Sequence, residues 1–112
     1  PCSSYHKRAR LLLRDMYSFY DIYEEVLLPG SGGLKVDLLI PRLLLAVEVQ
    51  GEQHYKFVSK FHTDVQGFRE AQRRDQKKEE WLINNNFSSV QLPYSESDDE
   101  WRERVVGAFK RQ

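Results

Sequence analysis

Two acids stand inside otherwise apolar runs: Asp37 in "KVDLLI" (35–40) and Glu48 in "LAVEVQ" (45–50). Ionised carboxylates are costly to bury unless a proton or a cation partners them. The runs flank "PRLL" (41–44), and a hairpin folded about Arg42 and Leu43 sets Asp37 opposite Glu48, Lys35 opposite Gln50 and Leu39 opposite Ala46. Side-chain alternation puts these six on one face. Val36, Leu38, Ile40, Leu45, Val47 and Val49 fall on the other, a purely apolar face. Directly opposed like charges destabilise a sheet and call for a shared proton or a cation. Mg²⁺ is held by one or two carboxylates and keeps several waters, which leaves positions for a phosphate. Such an ion polarises a phosphodiester and generates hydroxide near neutral pH. The plainer alternative is a surface-facing acid pair screened by Lys35 or Arg42.

The elements that must carry these residues follow from pattern. Residues 3–18 form a helix capped by Ser3 or Ser4, with Tyr5, Ala9, Leu12, Leu13 and Met16 on one stripe. Residues 20–28 are rich in aromatic and β-branched types and form a strand, and "PGSGG" (29–33) turns the chain. Strands at 34–40 and 44–50 are nearly continuous in apolar residues, as in strands covered on both faces. A polar loop at 52–65 leads into a helix at 66–84, an Asn-rich stop, a strand at 87–94 and a last helix at 98–110. Ser97 or Asp98 caps that last helix, with Trp101, Val105, Ala108 and Phe109 inward. The order is α-β-β-β-α-β-α, an α/β class with a mixed central sheet flanked by helices.

The 112 residues are expected to form one domain, and a start at Pro1 rather than Met leaves excision from a longer protein open. Cys2 lacks a partner cysteine and reads as inert. Without a cysteine framework or a signal-peptide pattern, an intracellular setting is expected. No apolar run approaches the ~20 residues of a membrane helix, so no membrane role is expected. Basic and acidic residues number 17 each, which argues against charge-driven coating of nucleic acid but not against a local basic face.

In order along the chain, "VDLLIP" (36–41), "LAVEVQGEQHY" (45–55), "RRDQKKEEWL" (73–82) and "VQLPY" (90–94) resemble the PD-(D/E)xK nuclease superfamily. The likeness is to its small Vsr-like (very-short-patch-repair) and phage-type endonuclease branch. The resemblance covers about residues 20–94. It implies a restriction-endonuclease-like fold and Mg²⁺- or Mn²⁺-dependent hydrolysis of DNA phosphodiester bonds. Asp37 and Glu48 match the metal-binding acids, with the backbone carbonyl of Val49 as a further ligand. Gly51 matches the glycine ending the strand, and His54 a histidine that orients water or touches the phosphate.

One position departs. Gln50 stands where most of the superfamily has lysine, and glutamine can orient a water but cannot act as a general acid or base. Two lysines stand as substitutes: Lys35, opposite Gln50, and Lys78. The latter shares a helix stripe with Phe68, Ala71, Asp75 and Leu82, which points it inward to offset charge on a developing phosphorane. An Asp75–Lys78 salt bridge is the plainer alternative. An acid from the first helix or first strand is a further ligand in relatives, and Asp15, Glu24 and Glu25 are the options. Asp15 shares a helix face with Arg8, which makes a plain ion pair the simpler reading. His6 and His62 have no partner at zinc spacing and read as surface residues. Arg69, Arg73, Arg74 and Lys77, with Lys56 and Lys60 before them and Lys7, Arg8 and Arg10 in the first helix, are suited to line a phosphate backbone. Tyr55, Phe57 and Phe61 either pack on the long helix or wedge a base step. One such site cuts one strand, so double-strand cleavage would need a homodimer. The rival reading is the same fold with weakened catalysis, binding DNA or a protein partner.

Overall fold

A computed structural model describes residues 3–51 and 65–110, with side chains through Ala108. The element order is the one the pattern predicts: α1 (Ser4–Met16), β1 (Tyr23–Leu27), β2 (Lys35–Ile40), β3 (Leu45–Gln50), α2 (Val65–Asn84), β4 (Ser88–Pro93) and α3 (Asp98–Lys110). Cys2, His54, Tyr55, Lys56, Phe57, Lys60, Phe61 and His62 lie outside the described residues, as does most of the expected 52–65 loop.

Local chemistry sets the ends of the elements. The Ser3 side chain accepts from the His6 amide at 3.0 Å and caps α1. α2 stops in a left-handed residue, Asn86 (φ 66°), and the Phe87 and Asn86 amides close back on Leu82 and Ile83 carbonyls. Ser97 and Glu100 form a reciprocal cap at the start of α3. A single 3-10 turn over Pro41–Leu43, closed by left-handed Leu44 (φ 50°), joins β2 to β3.

The sheet runs β1-β2-β3-β4, with the first two pairings antiparallel and β3–β4 parallel. The parallel pair needs a crossover, and α2 is its helix. α1 and α3 cover one face, where Ala9, Leu12, Leu13, Trp101, Val105 and Ala108 pack on Leu38, Ile40, Leu45, Val47, Val90 and Leu92. α2 covers the other through Leu82 and Trp81, against Leu28, Val36, Leu39, Ala46 and Phe87. The architecture is therefore mixed α/β: a four-stranded mixed sheet between helices. No helix among the described residues is long and apolar enough to cross a membrane.

The hairpin register agrees with the sequence at Leu39↔Ala46 and stops short of the acids. Pairing runs Ile40↔Leu45, Leu39↔Ala46, Leu38↔Val47 and then ends, so neither Lys35–Gln50 nor Asp37–Glu48 is a ladder pair. Val36 also leaves its expected face, joining Leu39 and Ala46 rather than Leu38 and Ile40. The cause lies across the sheet. The position opposite Asp37, bracketed by the pairs Glu24↔Leu38 and Val26↔Val36, is Glu25, whose backbone is left-handed (φ 52°). That conformation interrupts the ladder and turns the chain over, so strict alternation fails across this point.

Candidate active site: acids on three adjacent strands

Where β2 and β3 part, Asp37 replaces the missing ladder bond. Its Oδ2 accepts the Val49 amide at 2.8 Å, which pins the carboxylate between the strands. Glu48 follows on β3 and is only 5 % exposed. Burial, then the charge of the adjacent Asp37 carboxylate, push its pKa up to about 8, against the pull of Lys78. Hydrogen bonding with the Asp37 carboxyl adds a smaller part to the rise. The expected juxtaposition of Asp37 and Glu48 therefore exists, made by a side chain rather than by ladder pairing.

Of the two substitute lysines, Lys78 reaches the acids. Its Nζ lies 2.9 Å from Glu48 Oε1. This buried oxygen therefore has the Lys78 ammonium as its charge partner. Lys35 is exposed at the far end of β2 and, among the described residues, makes no ion pair with either acid. The plain Asp75–Lys78 alternative is not what engages Lys78. Asp75 instead lines, with Glu48, Gln50, Lys78, Glu79 and Gln91, a cavity of about 480 Å³ between α2 and the sheet. The α2 stripe thus faces inward as its spacing predicts.

Gln50 opens onto the same cavity. Its amide donates to Gln91 Oε1, and Gln91 Nε2 donates to Glu79 at 3.3 Å and to Ser89 at 3.2 Å. Gln91 is also the β4 partner of Glu48 in the parallel ladder. The chain of amides fixes Gln50 in one orientation.

His6 is a correction. It is not a surface residue: it is 5 % exposed, and its Nε2 lies 2.8 Å from Glu24 Oε1. Its Nδ1 is 3.8 Å from Glu25 Oε1. The His6 bond, then Arg10 at 3.2 Å, hold the Glu24 carboxyl below its usual pKa against partial burial. Ligand atoms of His6, Glu25 and Asp37 lie within 4.8 Å of one another. The signal was available, because His6, Ala9 and Leu13 follow the helical spacing of the buried stripe. Of the three optional acids, Glu25 reaches the site and Glu24 touches it through His6. Asp15 is exposed on the other flank, 3.4 Å from Arg102, while Arg8 pairs with Asp98 and stacks over Trp101. The expected Asp15–Arg8 pairing is thus replaced by two helix-to-helix contacts.

The basic residues lie on the exposed side of α2. Arg73, Arg74 and Lys77 meet Ser31, Gly32, Leu34 and Glu70 in a cavity of about 380 Å³ beside the β1–β2 turn, and Arg69 is exposed one turn earlier. If these cations contact phosphate, replacing Arg73 and Lys77 together by alanine weakens duplex binding about equally for all sequences. The log–log salt slope then drops by about two, one per lost phosphate contact, as measured by fluorescence anisotropy. An unchanged slope removes this face from the interface.

No family model and no solved structure matches the chain. It is similar to the protein named "Uncharacterized protein 307L" of Invertebrate iridescent virus 6, 39 % identical over 69 residues, covering 62 % of this chain and 35 % of that one. It is also similar to "Uncharacterized protein 033L" of Invertebrate iridescent virus 3, 32 % identical over 65 residues, covering 58 % of this chain and 34 % of that one. The chain thus spans about a third of the length of the curated relatives it matches.

Proposed function

We propose that the chain is a divalent-metal-dependent DNA endonuclease of restriction-endonuclease-like fold, within the PD-(D/E)xK superfamily that its motifs resemble. One observation carries the reading: Asp37 and Glu48 converge at a break between two strands, where Glu48 is buried and its pKa is raised despite the Lys78 ammonium beside it. A buried pair of this kind is explained by a cation that the two carboxylates hold in common. The donor set fits Mg²⁺ or Mn²⁺: the Asp37 and Glu48 carboxylates and the Val49 carbonyl, all oxygen. A bound ion supplies charge neutralisation at the scissile phosphate and a water acidic enough to ionise near neutral pH.

The chain's own residues supply the rest. The Val49 amide orients Asp37, and α2 brings Lys78 to the same acids, where its ammonium offsets charge gathering on the phosphate. Gln50, held by Gln91, presents an amide that positions water without exchanging a proton. His54 is assigned by resemblance and Lys56 by its place in the basic stretch before α2; both lie outside the described residues. The experiment is incubation with supercoiled plasmid and Mg²⁺ or Mn²⁺. Nicking is expected, and it is expected to vanish with EDTA and in Asp37→Ala. Absence of nicking across both metals overturns the catalytic reading.

Gln50 favours a second reading, a nuclease-fold module with weakened catalysis that binds DNA or a protein. Its amide cannot act as a general acid or base, and it is tied into a network with Gln91 and, through it, Glu79. Duplex binding without cleavage selects this reading over the first.

A further inference from the structure

We infer that Glu79, acting through Gln91, is a positioning residue that fixes the polarity of Gln50. The carbonyl end of the Gln50 side chain, and not its NH₂, is thereby presented to the cavity of the acid pair, where it holds water as an acceptor. That role rests on the proposed nuclease reading, whereas the polarity does not.

The direction follows from which groups donate and which accept. An ionised carboxylate can only accept, so Glu79 decides which end of Gln91 faces it: Nε2, at 3.3 Å. Ser89 Oγ, 3.2 Å from the same nitrogen, can donate or accept and opposes neither orientation. Gln91 Oε1 is left to face Gln50, and it takes a hydrogen bond from Gln50 Nε2. The other end of that amide, Gln50 Oε1, is then the end turned away from Gln91 and from β4. On the far side of β3 from β4 lies β2, the strand that carries Asp37. Glu48 and Gln50, two apart on β3, line the same cavity beneath α2.

Electrostatics makes this polarity informative. Glu48, Asp75 and Glu79 all line the cavity that Gln50 opens onto. Beside ionised carboxylates an unrestrained amide turns its NH₂ toward them, because they can only accept. The link from Glu79 through Gln91 holds the opposite end there. An oxygen kept facing acids is stabilised only when a donor or a cation stands between them. Water is such a donor, whereas a phosphate oxygen is one more acceptor and is repelled. Lys78, 2.9 Å from Glu48 Oε1, is the group of this cavity suited to phosphate. Gln50 and Lys78 thus divide the cavity, one side for water and the other for the phosphate, and Glu79 sets which side is which.

The test follows the side-chain NH₂ signals of Gln50 and Gln91 in ¹⁵N-labelled, metal-free protein. In wild type both are expected to be protected from exchange with water. Glu79→Lys replaces an acceptor by a donor and inverts the chain of amides. Gln91 then turns its oxygen to the ammonium and its NH₂ to Gln50, whose own NH₂ faces the cavity and loses its protection while that of Gln91 persists. Adding Gln91→Glu to Glu79→Lys is expected to restore the Gln50 signal, because a carboxylate there accepts from both neighbours. Glu80→Lys makes the same charge change one residue along α2, at an exposed position, and is expected to leave both signals as in wild type. Plasmid nicking with Mg²⁺ is expected to track the Gln50 signal: kcat about 10- to 100-fold lower in Glu79→Lys and recovered in the double variant, with KM little changed. A Gln50 NH₂ still protected in Glu79→Lys overturns the inference. So does an inverted Gln50 with wild-type kcat, or an equal fall of kcat in Glu80→Lys. Wild-type protein that fails to nick counts against the proposed function, and the NH₂ signals then decide the polarity by themselves.

Discussion

Asp37→Asn is expected to lower metal-dependent nicking by roughly 10³-fold, the order of a lost charge contact in a water-excluded site. The same variant is expected to leave the metal-free protein at least as stable as wild type. The two effects separate because Asp37 does two jobs. Its Oδ2 accepts the Val49 amide at 2.8 Å, a role the asparagine carbonyl can keep. Its charge contributes to the rise in the Glu48 pKa, a repulsion that asparagine removes. Asp37→Ala loses both and leaves the Val49 amide without its acceptor, at a cost of about 1–3 kcal/mol. Melting curves in EDTA therefore rank the chains Asn ≥ wild type > Ala, while nicking ranks wild type far above both. Added Mn²⁺ raises the melting temperature of wild type by mass action and should do so much less in Asp37→Asn. An asparagine variant that melts as low as the alanine variant refutes the repulsion account. One that keeps the full Mn²⁺ shift removes Asp37 from the ligand set.

That separation also marks what could be read from sequence. The nearness of Asp37 and Glu48 was legible from two apolar runs joined by a short turn, although the ladder expected to pair them ends at Leu38↔Val47 and the Asp37 side chain bridges the gap instead. So was the inward face of α2, where Lys78 sits among residues at spacings of three and four. The splay of the strands was not, because it depends on Glu25 adopting a left-handed backbone that its residue type gives no reason to expect. Once that position turns over, Val36 changes face and ideal alternation misplaces it. The buried His6 was missed for another reason. Isolated histidine is ordinary on a helix surface, and its meaning comes from Glu24 and Glu25, brought up by a strand whose approach only the fold supplies. Arg8 and Asp15 show the same limit, since each found a partner on α3 rather than on its own helix.

Metal-free protein is expected to lose stability as pH rises from about 5 to about 8, and Glu48→Gln is expected to abolish that component. The sign follows from the proton count. The folded-state pKa of Glu48 is pushed up to about 8 from an ordinary 4.5, chiefly by burial and then by Asp37. Between those values the folded chain holds a proton that the unfolded chain has released. Stability from this group is complete below the unfolded value, falls through the window, and is gone once the folded carboxyl ionises. The slope is on the order of 1 kcal/mol per pH unit, so the window amounts to a few kcal/mol. Urea unfolding in EDTA at half-unit steps from pH 5 to 9 measures it. Wild type and Glu48→Gln should converge at low pH and separate toward pH 8, the glutamine variant being the more stable. Adding Mg²⁺ should reverse the trend for wild type alone, because the ion competes with that proton and binds more tightly as pH rises. Parallel pH profiles for the two chains would mean that Glu48 is already ionised and compensated by Lys78. The carboxylate pair would then stand satisfied without a metal, and the central reason for placing one there would be lost.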